Sequence, residues 1–132
     1  MKLDELSTCF CTDLVDECRQ FYGRYFAARP VFDCGWYVSL RINGDGPTIH
    51  FMQPQGDQKT FDCQGVILNF KVSDVDAEHE RLTSAGLGVD MPLEDHPWGD
   101  RGFSVLDPLG NSLYIYSDRE PSEEYQQAYQ DS

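Results

Sequence analysis

The residues of this 132-residue chain whose types could do chemistry are three histidines, a carboxylate-rich segment and five cysteines. His50 lies in Thr48-Ile49-His50-Phe51-Met52, a strand-like run in which its imidazole and the Met52 thioether share one face. His79 falls in a helical pattern, where a surface position is expected. His96 belongs to Glu94-Asp95-His96-Pro97-Trp98-Gly99-Asp100, which sets an indole beside Glu94, Asp95 and Asp100. This segment reads as a loop before the last hairpin; an aromatic plate beside negative charge suits a cationic or planar aromatic guest. Trp98 anchoring the loop against the core is the plainer reading, and closing around a metal ion would require a partner such as His50. Ser39, Ser104 and Ser112 sit in strand or turn patterns, none in the Gly-x-Ser-x-Gly elbow that presents a nucleophile. The glycine-rich phosphate-binding motifs are missing as well, so no cofactor and no catalytic residue is assigned.

Charge narrows the partners. Acidic residues number 23 against 10 basic ones, a formal net charge of -13. Such a field repels a phosphate backbone, so nucleic acid is not an expected partner, whereas a cationic ligand would be attracted. Solubility explains the same charge. No long apolar run suggests a membrane span, and Met1-Lys2-Leu3-Asp4-Glu5 lacks the apolar core of a secretory signal; a cytoplasmic location is the expectation. Cys9, Cys11, Cys18, Cys34 and Cys63 are odd in number with no Cys-x-x-Cys pair, and read as small core residues in a reducing compartment.

The elements that must position these groups come in two similar series. Leu6–Cys11 alternates as a strand, with Leu6, Thr8 and Phe10 on one face, and Thr12-Asp13 offers a helix cap. Val15, Cys18, Tyr22, Tyr25 and Phe26 follow at helical spacing, and Pro30 marks the end of that helix. Val31–Cys34, Trp36–Ile42 and Thr48–Met52 are strands, the last two joined by Asn43-Gly44-Asp45-Gly46-Pro47. After a polar linker, Gln53 to Gln64, the order restarts: strand Val66–Val72, cap Ser73-Asp74, helix Val75–Ala85 closed by Gly86, strand Val89–Leu93. The hairpin Gly102-Phe103-Ser104-Val105-Leu106-Asp107-Pro108-Leu109-Gly110-Asn111-Ser112-Leu113-Tyr114-Ile115-Tyr116 completes it. The fold class is α+β: two βαβββ modules, about 3–53 and 65–117, in a single domain over 1–118, followed by an acidic tail or short helix over 119–132.

Thr12-Asp13-Leu14, Arg19-Gln20-Phe21-Tyr22, Val72-Ser73-Asp74-Val75-Asp76 and above all Gly102–Ile115 resemble the glyoxalase, bleomycin resistance and extradiol dioxygenase superfamily, the vicinal oxygen chelate proteins. In character the chain is similar to the metal-free, bleomycin-resistance-like members. The resemblance implies modules that pair around a cleft, often completed by a homodimer. Family enzymes hold a divalent metal with His and Glu from the opening and closing strands; carried over, those four positions are Leu6, His50, Ile67 and Tyr114. A lone imidazole among them cannot hold such an ion, so no metal is expected.

Within the cleft that the resemblance implies, strand alternation nominates Thr8, Phe10, Trp36, Val38, His50, Met52, Asn69, Tyr114 and Tyr116 as ligand-binding residues, with Trp98, Glu94, Asp95 and Asp100 at the rim. The expected function is metal-free sequestration of a cationic or aromatic small molecule, with antibiotic resistance the role that the resemblance implies. A lyase, isomerase or dioxygenase of the same superfamily, with His50 and an acidic partner moving protons, is the alternative. A fold relative whose cavity is closed by side chains is a third.

Overall fold

The computed structural model describes residues 1–130. Asp131 and Ser132, the end of the stretch read as an acidic tail or short helix, lie outside the described residues. The chain divides into two compact units, Met1–Gln64 and Gly65–Ser132.

The first unit runs β1 (Thr8–Cys11), α1 (Val15–Phe26), β2 (Arg29–Asp33), β3 (Tyr37–Arg41) and β4 (Thr48–Met52). Its sheet has the order β1-β4-β3-β2, with β1 parallel to β4 and the other pairs antiparallel. Helix α1 buries Val15, Cys18, Tyr22 and Phe26, the three-and-four spacing read from the sequence. Tyr22 meets Phe51 at 5.5 Å, and Phe10 meets Phe51 at 5.9 Å, so one face of the sheet is the core. Phe61, from the segment after β4, closes the edge of that core at 5.0 Å from Phe10. The Thr12 hydroxyl accepts from the Leu14 amide, and the helix starts just beyond, at Val15.

The second unit repeats the order with β5 (Ile67–Lys71), α2 (Val75–Ser84), β6 (Met91–His96), β7 (Asp100–Leu106) and β8 (Ser112–Asp118), and adds a short helix α3 (Glu123–Gln126). Its sheet order is β5-β8-β7-β6, with β5 parallel to β8. Asp74 caps α2 by accepting from the Ala77 amide, and the Ser117 hydroxyl joins sheet to helix, accepting from the Val75 amide while donating to the Val72 carbonyl. His79, expected on the surface, lies half-buried with its ring edge-on to Phe103 at 4.9 Å. The β7–β8 turn is built on the buried Asp107 carboxylate, which accepts from the Leu109 and Asn111 amides and from the Asn111 side chain. Asp-Pro-Leu-Gly-Asn is therefore a turn organised by one carboxylate.

Two further sequence expectations change. Residues 94–96 belong to strand β6 and only 97–99 form a turn, so the acidic segment is a tight hairpin rather than a loose loop. Pro92 is accommodated because β6 is the edge strand and its register slips between Met91 and Glu94. The cysteines are not uniformly core residues: Cys18 is buried, Cys11 is half-buried, and Cys9, Cys34 and Cys63 are exposed.

Candidate functional site

In each unit the helix covers one sheet face, and strand register decides which side chains occupy the other. In the first unit Cys9, His50 and Ser39 lie side by side across β1, β4 and β3, as do Cys11, Met52 and Tyr37 across the same strands. These side chains occupy the face away from α1. The Ser39 hydroxyl lies 2.8 Å from His50 Nδ1 and the Thr48 hydroxyl 3.1 Å from Nε2, with Thr48 in turn donating to Glu5. Burial pushes the His50 pKa below its ordinary value against the opposing pull of Glu5, so the ring is held neutral. Trp36, 43% exposed, stands just before β3 with its ring edge-on to Tyr37.

Three nominated residues fall on the other face. Phe10, 4% exposed, packs on Phe51 beneath α1; Thr8 follows the same alternation. Val38 pairs with Phe51 in register and is fully buried. The larger apolar set of each strand turns toward the helix because burying it there removes more surface from water, which leaves Tyr37 and Ser39 for the open face.

In the second unit the face away from α2 carries Asn69 and Tyr114, paired in register, with Tyr116 stacked on Tyr114 at 5.5 Å. Beside them the β6–β7 hairpin makes a convergent cluster. Asp100, only 8% exposed, accepts from the Tyr114 hydroxyl at 2.8 Å, from His96 Nδ1 at 2.8 Å and from the Trp98 indole N–H at 2.9 Å. Three donors on one carboxylate offset the loss of its hydration. The imidazole of His96 stacks on the Trp98 indole, with centroids 4.5 Å apart and planes 2° from parallel. Burial, and then donation to Asp100, holds the Tyr114 hydroxyl far above the ordinary phenol pKa, so it stays protonated. Gly102 makes room for this phenol, since a Cβ there would lie 2.5 Å from its oxygen.

The rim assignments divide accordingly. Glu94 pairs in register with Gly102 and shares the face of Tyr114 and Tyr116. Asp95 alternates to the opposite face, where Arg101 lies between it, at 3.4 Å, and Asp76 of α2, at 3.0 Å. It is not beside Trp98. Asp100 is also not a free anionic lure: its oxygens are engaged inside the cluster. Trp98, 42% exposed, sits at the hairpin tip, where the Tyr129 hydroxyl donates to its carbonyl and the Tyr125 ring meets it edge-on. Sequence reasoning weighed His96 only as a metal ligand and Ser39 only as a nucleophile, and nominated neither Gly102 nor Tyr37; for His96 the available signal was the alternation of Glu94 and His96 running into a short turn.

A divalent ion does not fit the donors at the family's four positions. Leu6 and Ile67 have no donor atom, the Tyr114 phenol is committed to Asp100, and both nitrogens of His50 lie within hydrogen-bonding distance of hydroxyls. Among the described residues no group of three or more His, Cys, Asp or Glu side chains is placed to hold a metal ion. No helix among them is long and apolar enough to cross a membrane.

Two sheets of this connectivity, each with one helix-covered face and one polar-aromatic face turned away from its helix, define the class. The family model for the Glyoxalase/Bleomycin resistance protein/Dioxygenase superfamily matches residues 6–115, and the chain belongs to that superfamily. An uncharacterized protein of Mycobacterium bovis is 38% identical over 81 residues, covering 57% of this chain and 53% of that protein. The chain spans about half the length of the curated relatives it matches. Among solved structures, the bleomycin resistance determinant encoded on transposon Tn5 superposes with a TM-score of 0.69 at 17% identity, covering 88% of this chain and 98% of that one. Lactoylglutathione lyase from Agrobacterium tumefaciens gives 0.69 at 18% identity, covering 86% and 92%. These likenesses show the fold; one is to a resistance determinant and the other to a lyase.

Proposed function

We propose that this protein binds a small aromatic or cationic compound without a metal and sequesters it, using the face of the second unit that carries Tyr114, Tyr116, His96 and Trp98. The observation that carries this reading is the stacked, hydrogen-bonded assembly on Asp100. It holds flat rings in fixed orientation beside the carboxylate of Glu94, and rigid aromatic surface binds planar guests at low entropic cost. The family membership and the likeness to a bleomycin resistance determinant support the class of ligand. Asn69 supplies a hydrogen-bonding group on the same face, and the net charge of -13 favours cationic guests. On the first unit, His50, Met52 and Trp36 form a separate set of candidate ligand contacts. The working form is a homodimer in this account, which sedimentation equilibrium tests directly.

The test is calorimetric titration of metal-stripped protein with a bleomycin-type cationic glycopeptide at low and moderate salt. Saturable, equimolar heat that weakens with salt and is lost in Trp98→Ala supports the reading. Absence of heat at both salt concentrations sinks this ligand class. Binding that requires added divalent metal contradicts the metal-free mechanism.

A further inference from the structure

The Asp100 cluster does more than hold rings flat. A carboxylate only accepts hydrogen bonds, so its 2.8 Å contact with His96 Nδ1 requires a proton on that nitrogen. In the neutral form of the ring the lone pair is therefore on Nε2. Tyr114 lies 3.0 Å from the same Nδ1 but cannot donate to a protonated nitrogen, so its hydroxyl proton goes to Asp100. Trp98 fixes the ring plane by stacking and fixes the second carboxylate oxygen through its indole N–H. No hydrogen bond among the described residues engages His96 Nε2. No buried side-chain nitrogen or oxygen among them lacks a partner, so Nε2 reaches solvent.

We infer that His96 is a general base, oriented by Asp100 as a positioning residue, and that it takes a proton from a planar small molecule lying against the aromatic face of the second unit. This is the base-and-orienter half of the arrangement by which a His–Asp pair activates a nucleophile, here directed at a bound compound instead of at a serine. The substrate class is a flat, aromatic or conjugated molecule bearing an acidic C–H. The inference rests on that face receiving a planar guest but not on the glycopeptide: glycopeptide binding could fail and the base would remain.

The probe is 5-nitrobenzisoxazole, a flat compound with one acidic ring C–H. His96 Nε2 accepts that proton, the C–H electron pair becomes part of the new nitrile, the N–O bond breaks, and the ring oxygen leaves as a coloured phenolate. No oxidant or co-reactant is consumed. Saturable phenolate release that falls on the order of 10²-fold in His96→Gln is the expected result, within the usual range for general-base catalysis. A rate unchanged in that variant overturns the inference. Nitrogen-15 spectra of the wild-type imidazole test the geometry without any substitution: the Nδ1-protonated tautomer is expected, and an Nε2-protonated ring overturns it. Asp100→Asn should lose both this tautomer preference and most of the rate, with a wild-type circular dichroism spectrum confirming the fold. A purely structural Asp100 would leave the tautomer of a folded variant unchanged, which would contradict its positioning role.

Discussion

Gly102→Ala tests the construction of the cluster through a single methyl group. A Cβ at residue 102 would lie 2.5 Å from the Tyr114 hydroxyl oxygen, 2.6 Å from its ring carbon and 3.0 Å from the Ile115 carbonyl oxygen. The carbonyl belongs to the β7–β8 ladder, so the phenol must yield. Displacing it removes the 2.8 Å donation to Asp100 and leaves a nearly buried carboxylate short of one partner. Losing a hydrogen bond to a charged group costs about 1.5–3 kcal/mol, and an off-rotamer phenol adds about 0.5–1.5 kcal/mol, so G102A should destabilise by about 2–4.5 kcal/mol. Urea denaturation followed by circular dichroism reads this as a lower midpoint at unchanged slope. Gly88→Ala is the control: nothing lies within 4 Å of a Cβ there, and a change within about 0.5 kcal/mol is expected. Adding Tyr114→Ala to G102A removes the clash, and the pair should be non-additive by at least about 1 kcal/mol. If G102A matches wild type, the phenol does not occupy the space assigned to it and the cluster is wrong.

Asp107→Ala strips the β7–β8 turn of an acceptor shared by two amides and one carboxamide; a loss of about 2–4 kcal/mol is expected by urea denaturation. The folded-state pKa of His50 is lowered from 6.5 by burial, so below pH 6.5 the unfolded chain binds a proton that the folded chain resists. Stability should therefore fall with pH through that window, down to the folded pKa, and His50→Gln should flatten that part of the stability profile measured by urea titration. Tyr129→Phe removes the hydroxyl that donates to the Trp98 carbonyl; amide exchange at Trp98 and Gly99 should quicken several-fold, with the global denaturation midpoint little changed.

Much of the architecture was legible because the sequence states it twice: a strand, a capped helix and a closing hairpin recur with the same order and similar spacing. Alternation also placed His50, Met52, Asn69, Tyr114 and Tyr116 on common faces. What alternation cannot supply is the sign of a face. In β3 the choice between Val38 with Leu40 and Tyr37 with Ser39 rests on which set the helix covers, and the apolar set won. Phe10 followed the same logic beneath α1, against its nomination for a pocket. Asp95 was misplaced because charged residues and a proline suggested a loop; an edge strand tolerates both, and once β6 continues to His96 the alternation sends Asp95 to Arg101. The role of Asp100 was hidden because its partners come from positions 96, 98 and 114, which only the folded sheet brings together.

The central claim is that the rings fixed by Asp100 form the ligand-binding face. The most direct measurement is titration of isotopically labelled, metal-stripped protein with the bleomycin-type glycopeptide while aromatic and amide NMR shifts are recorded. The account predicts saturable shifts concentrated at His96, Trp98, Tyr114 and Tyr116, with little change at Phe10, Val38 and Asp95. Saturable shifts confined to residues outside that face would contradict it, as would no shifts at any glycopeptide concentration.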